Sequence, residues 1–224
     1  MGRVSVVAVT PIFHEKDLLR ARLIEDADFV EVRIAYASSL KDLDFKWLLP
    51  SRDKIIVSLK GLEKSEWIRS LDKEAERVLT SAKRMRLMIE ICAELLEKLG
   101  WAEDFLDNRT VVSLCRAYDE SSLRKLVEKY SRSAYVVKVC FSAEDRKFLL
   151  TSAVALSIAD NVAIDLEKGR EKDIALLALM NSKMLYGYAD YKMEYNLSYK
   201  TVKLIVSKLE ELLSSLSRNR YFSL

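Results

Sequence analysis

The chain has 224 residues, half of them hydrophobic and 32% charged, with 37 lysines and arginines against 34 aspartates and glutamates, a formal charge of +3. This balance belongs to an ordinary globular chain and excludes a disordered tail-like sequence or a collagen-like fibre. It also argues against nucleic-acid binding, which needs a clustered basic face, since the densest cluster is Lys83-Arg84-Met85-Arg86.

No apolar stretch approaches the roughly 20 residues that span a bilayer, so no membrane span is expected. The first ten residues carry one Arg and no small-residue cleavage site, which points to a cytoplasmic protein. Three cysteines, Cys92, Cys115 and Cys140, lack metal-type spacing and are odd in number, and His14 is the single histidine. Neither a disulfide framework nor a metal site is expected, and no cofactor is implied. Glutamine is absent and Gly (5) and Pro (2) are few, the composition of heat-adapted proteins.

In chain order, short β-branched runs alternate with amphipathic segments. Strands are predicted at 4–10, 28–35, 54–59, 87–92, 110–115, 135–140, 162–166 and 184–189. Between the fifth and sixth, Leu123, Leu126, Val127 and Tyr130 recur at helical spacing behind Asp119 as cap. After the sixth, Ser142 and Asp145 read as a capping box before Phe148 and Leu149. The last segment carries Val202, Ile205, Leu209, Leu212 and Leu216 on one stripe. Eight strand–helix units in 224 residues average 28 each, which predicts an α/β chain folded as a single (β/α)8 barrel over 1–224. An open doubly wound sheet is disfavoured because neither GxGxxG nor GxxxxGK[ST] occurs.

Barrel strands are buried on both faces, so a charge inside one needs a partner. Glu31 and Arg33 lie two apart on the second strand, Ser58 and Lys60 on the third, Ser113 and Cys115 on the fifth, Lys138 and Cys140 on the sixth, and Glu90 sits within the fourth. Period-two spacing puts each pair on one face, and if those faces point inward the charges surround one central space. Lys138, in Ala-Tyr-Val-Val-Lys-Val-Cys-Phe, has apolar walls that would desolvate the ammonium and lower its pKa. It is therefore a candidate Schiff-base nucleophile; the other reading is a buried ion network in which Lys138 pairs with Glu31 or Glu90. Trp47, Trp67 and Trp101 read as helix-to-sheet packing.

Taken together these segments resemble the type I 3-dehydroquinate dehydratases. The segment 28–34, Asp-Phe-Val-Glu-Val-Arg-Ile, is similar to the family's D-x-x-E-[LV]-R-[ILV] strand, and 54–60, Lys-Ile-Ile-Val-Ser-Leu-Lys, to its P-[IV]-I-x-T-x-R strand. Ala134-Tyr-Val-Val-Lys138-Val resembles the motif around the Schiff-base lysine, Met180-Asn-Ser182 the F-G-S before the last strand, and Tyr195-Asn196-Leu-Ser the entry to the final helix. The resemblance implies a lyase of the shikimate pathway, in aromatic amino acid biosynthesis, that converts 3-dehydroquinate to 3-dehydroshikimate as a homodimer. It implies Lys138 as the imine-forming residue, Cys115 at the place of the catalytic His, and Glu31, Arg33, Lys60 and Asn196 around a small keto-acid substrate.

The departures fall on functional positions. Cys115 replaces an imidazole that is both donor and acceptor. Lys60 replaces an arginine and loses the bidentate fork. A Ser-Arg pair falls near Asp173-Ile174, with Arg170 out of register, and Glu63 stands one residue off the family's glutamate. His14, on the loop after the first strand, could supply an imidazole from another direction or be an exposed loop residue. Slowed dehydration, imine chemistry on another small keto compound, and a non-catalytic barrel all remain open on the sequence.

Overall fold

The eight apolar runs form eight parallel strands, each ending within two residues of its expected bounds: β1 Ser5–Pro11, β2 Phe29–Arg33, β3 Ile55–Ser58, β4 Met88–Cys92, β5 Thr110–Leu114, β6 Val136–Ser142, β7 Val162–Glu167 and β8 Met184–Tyr188. The computed structural model describes residues 3–37, 39–61, 68–116, 118–189 and 196–220. The strands pair in sequence order, and β8 returns to β1 with Ser5 opposite Met184, which closes the sheet into a (β/α)8 barrel of a single domain. Among the described residues seven α-helices surround it: α1 Lys16–Arg22, α2 Ile68–Arg84, α3 Ala93–Lys98, α4 Glu120–Ser131, α5 Phe148–Leu156, α6 Glu171–Leu179 and α7 Tyr199–Arg220.

Between β2 and β3 the described residues hold two 3-10 segments, Ile34–Tyr36 and Phe45–Ser51, and no α-helix. Asp44 caps the second through the Lys46 N–H at 3.0 Å, and Pro50 lacks the N–H that a longer helix would need. Trp47 lies on this segment, 47% exposed, with its indole N–H on Glu15 at 3.2 Å. It therefore does not pack helix to sheet, whereas Trp101 meets Phe105 edge-on at 5.7 Å. Trp67 and Glu63 lie outside the described residues.

Helix starts follow local chemistry. Asp119 caps α4, accepting the Ser122 N–H at 2.9 Å, as expected. The Ser142 capping box does not form: β6 runs on to Ser142, paired with Glu167, and Asp145 instead takes the Lys147 N–H at 2.9 Å in the turn that follows. The stripe on α7 is buried only in its first half, at Tyr199, Val202 and Val206, while Leu212 and Leu216 are each 54% exposed.

Two features fix the seam. Gly187, on the outer face of β8, lies so close to α7 that an added Cβ would sit 2.5 Å from the Tyr199 Cα, so only glycine lets helix and strand touch there. Ser182 accepts the Ile164 N–H at 2.9 Å and donates to the Met184 carbonyl at 2.8 Å, tying β7 to β8, and Asn181 before it takes φ 62°, a left-handed turn that asparagine tolerates.

The apolar residues divide into two cores. Outward strand faces pack on the helices, while Val7, Val9, Ile56, Met88, Val111, Val136, Ala163 and Met184 fill the barrel interior from its N-terminal end. Above this plug the interior turns polar. No helix among the described residues is long and apolar enough to cross a membrane.

Candidate active site

The period-two polar residues do point inward, and they stack in two layers toward the C-terminal mouth, where barrel sites are built. The lower layer holds Glu31, Glu90 and Lys138, all completely buried. Lys138 Nζ donates to Glu31 Oε2 at 2.7 Å and to Glu90 Oε2 at 3.0 Å, with Asp165 Oδ2 at 3.4 Å and the face of Tyr186 at 4.3 Å. The upper layer holds Arg33, Lys60, Asp165 and Tyr188. Arg33 spreads its donors over Glu31 Oε1 at 2.5 Å, the Tyr188 hydroxyl at 2.7 Å and Asp165 Oδ2 at 3.1 Å. Lys60, one-tenth exposed at the mouth, donates to Asp165 at 2.8 Å and reaches Glu167 at 3.6 Å.

Three cations thus face three buried carboxylates. Asp165 is the residue that sequence reasoning missed, together with Tyr186 and Tyr188. The signal was present: Asp165 follows Ala163 by two inside Val-Ala-Ile-Asp-Leu, so it shares the inward face.

The carboxylates are not equivalent. Burial opposes ionisation of Glu31, but Arg33 and Lys138 outweigh it and hold this carboxyl at about 2. Burial is likewise outweighed at Asp165, where Lys60, Lys138 and Arg33 hold the carboxyl far below the ordinary range. At Glu90 burial and the Glu31 charge win over Lys138, so its pKa is raised. The geometry explains the difference, because among the described residues Lys138 is the only hydrogen-bonding partner of the Glu90 carboxylate, while Glu31 and Asp165 each have an additional cation.

Lys138 takes the form of the ion-network reading, paired with both Glu31 and Glu90, and not of the desolvated amine. Burial alone would lower its pKa, but Glu31, Glu90 and Asp165 outweigh burial and hold it well above the ordinary value, so the resting amine is charged.

Cys115 sits beside a second thiol: its Sγ lies 2.8 Å from Cys140 Sγ across β5 and β6. The hydrogen bond to Cys140, then burial, raise the Cys115 pKa; at Cys140 burial is outweighed by that bond and by Lys60, so its pKa falls. Cys140, not Cys115, is therefore the thiol closer to ionisation. Ser113, one layer below, has a fully buried hydroxyl without a hydrogen-bond partner among the described residues.

Other candidates lie further out. Asn196 is on the rim, where its Oδ1 accepts the Lys168 N–H at 2.7 Å. His14 is exposed on the loop after β1, and its main-chain N–H is held by Asp17 at 3.0 Å. Asp173 accepts the Arg170 N–H at 2.9 Å at the start of α6, a structural role outside the barrel.

The carboxylate asymmetry gives an acid-stability prediction. Between about pH 4 and pH 2 the unfolded chain protonates these carboxyls, while folded Glu31 and Asp165 stay ionised, so folding excludes protons and stability falls as pH falls. Two such groups give a slope of up to about 2.7 kcal/mol per pH unit. Urea midpoints across this window should show it, and a Glu31→Gln variant should flatten it; an unchanged slope would contradict the ion-pair assignment.

No family model matches the sequence, and no curated protein matches it. Among solved structures, the chain is similar to the 3-dehydroquinate dehydratase from Aquifex aeolicus VF5, at 13% identity and TM-score 0.62 over 92% of this chain and 98% of that one. It is similar to 3-dehydroquinate dehydratase from Enterococcus faecalis, at 14% identity and TM-score 0.60 over 93% and 95%. The 3-hexulose-6-phosphate synthase from Salmonella typhimurium follows at 10% identity and TM-score 0.56 over 92% and 99%. At these identities the likeness is one of fold.

Proposed function

We propose that this barrel carries imine chemistry on a small carboxylated ketone, with dehydration of 3-dehydroquinate as the leading candidate reaction. The observation that carries the reading is Lys138 at the barrel centre, held by two carboxylates of unequal basicity beneath a mouth that carries Arg33 and Lys60. Glu90, with no second cation, is the group that can accept the Lys138 proton at 3.0 Å. The neutral amine then adds to the ketone carbon, and the carbinolamine loses water to become an iminium. The iminium draws electrons from the neighbouring C–H bond. A thiolate at Cys140, stabilised by Cys115 and Lys60, takes that proton; the hydroxyl on the next carbon leaves as water, protonated from the same thiol. A second water hydrolyses the imine and frees Lys138.

In this reading Arg33 and Lys60 bind the substrate's oxygen functions by exchanging part of their hold on Asp165, and Ser113 supplies an unused hydroxyl. Asn196 closes the rim. A thiol in place of imidazole gives slower turnover, because losing a well-matched acid–base group costs about 10² to 10⁴ in rate. The homodimer remains part of the proposal through family likeness alone.

One observation favours a second reading. The three interior cations are balanced by three carboxylates, so the network is closed in charge and suits a barrel retained for binding or assembly without catalysis.

Borohydride reduction in the presence of 3-dehydroquinate separates the two. The imine reading expects a reduced adduct located on Lys138 in the peptide map. No adduct, with a type I dehydratase trapped in parallel, would sink it and leave the closed network.

A further inference from the structure

The odd cysteine count argues against a disulfide framework, but the fold brings two of the three thiols into contact. Leu114 and Val139 are paired in register at the end of the β5–β6 ladder, so Cys115 and Cys140 are the next opposing residues. Neighbouring strands hold opposed Cα atoms about 4.8 Å apart, inside the range of about 4.4–6.8 Å that a disulfide bridges. The two sulfurs already touch at 2.8 Å, and both residues are partly exposed at the mouth, whereas Cys92 is buried.

We propose that Cys115 and Cys140 are a redox-active dithiol that closes into a disulfide across β5 and β6, with a hydroperoxide as oxidant and a small-molecule thiol as reductant.

The chemistry balances as follows. The Cys140 thiolate attacks one oxygen of hydrogen peroxide, breaks the O–O bond and becomes a sulfenic acid, while hydroxide leaves and takes up the thiol's proton as water. Cys115 sulfur then attacks the sulfenic sulfur, the S–O bond breaks, and the hydroxyl departs as a second water with the Cys115 proton. Two thiols lose two electrons and the peroxide gains them. Reduction by a thiol reverses the bond through a mixed disulfide.

The environment assigns the two roles. Cys140 has Lys60 nearby and the Cys115 S–H to support its negative charge, which makes it the attacking sulfur; Cys115 keeps its proton and resolves. Both strands are anchored in the closed sheet, so bond formation asks only for side-chain rotation. The bond needs none of the imine chemistry and stands or falls by itself. Where imine chemistry operates, oxidation also removes its proton acceptor.

The test uses the full chain, reduced and desalted, then treated with hydrogen peroxide, denatured and alkylated with N-ethylmaleimide. The expected result is loss of two hydrogens, a single maleimide on Cys92, and a cross-linked peptide pair containing Cys115 and Cys140, all reversed by dithiothreitol. In a Cys115→Ser variant the same treatment should leave a Cys140 sulfenic acid that dimedone captures. Three maleimides on the oxidised parent would overturn the proposal, as would a bond through Cys92 or over-oxidation of Cys140 with Cys115 still free.

Discussion

A Lys138→Met variant is expected to lose about 3–5 kcal/mol of stability at pH 7, the usual result of removing one partner from a buried ion pair. The packing change is small because methionine nearly fills the lysine's volume, so the loss is electrostatic. It should fall mainly on one residue. Glu31 keeps Arg33, and Asp165 keeps both Arg33 and Lys60, but Glu90 is left with no cation. Glu90 must then remain protonated in the fold while it ionises in the unfolded chain. From an unfolded value near 4.3 to pH 7 this costs at most about 3.7 kcal/mol.

The sign gives the test its shape. A carboxyl with a raised folded pKa costs nothing below its unfolded pKa and destabilises progressively as pH rises. The single variant should therefore recover most of its stability at pH 5. A Lys138→Met, Glu90→Gln double variant, with two cations facing two carboxylates, should recover it at every pH. Denaturant midpoints of the three proteins measure both effects. A single variant as stable as the parent at pH 7 would show that Glu90 does not depend on Lys138.

The second large effect concerns nucleophilicity. If Glu90 accepts the Lys138 proton, the transfer is internal and changes no net proton count, so imine formation in the parent should be nearly independent of pH around neutrality. Glu90→Gln removes the acceptor and leaves Lys138 charged beside Glu31 and Asp165. The parent amine is also charged at rest, so what the variant loses is the internal proton acceptor, and the trapping rate should fall by about 10² to 10⁴, the usual loss on removing an acid–base group. It should also rise tenfold per pH unit above pH 7, a profile that a merely structural defect would not produce. Equal rates in variant and parent would remove Glu90 from the chemistry, while an untrapped parent would instead remove the imine.

Much of this arrangement was legible before the fold was known, for a definite reason. A strand buried on both faces has no use for charge, so Glu31, Arg33, Lys60, Glu90 and Lys138 stood out against β-branched runs, and period two oriented them. Asp165 obeys the same rule, yet it is one carboxylate in a run that charged residues follow at once, Glu167 and Lys168, and it reads as a strand end. Tyr186 and Tyr188 read as apolar filling. Lys138 had two readings, and its partners decide between them: desolvation alone would leave the amine neutral, whereas Glu31 and Glu90, with Asp165 behind them, keep it charged. The thiol contact depended on register between two strands, which no local pattern encodes. The 3-10 stretch between β2 and β3 was signalled by Asp44 and Pro50, but regular alternation elsewhere suggested a helix there too.

The pairing of β8 with β1 has a consequence for how the chain is made. Ser5 meets Met184, so β1 lacks one neighbour until a strand 179 residues further along has been synthesised. At translation rates of about 5–20 residues per second this leaves one β1 edge unpaired for roughly 10–40 s. Pairing across such a separation is slow to form and open to wrong partners meanwhile. Until β8 arrives the early segments keep one open edge, and that strand decides when the cylinder exists.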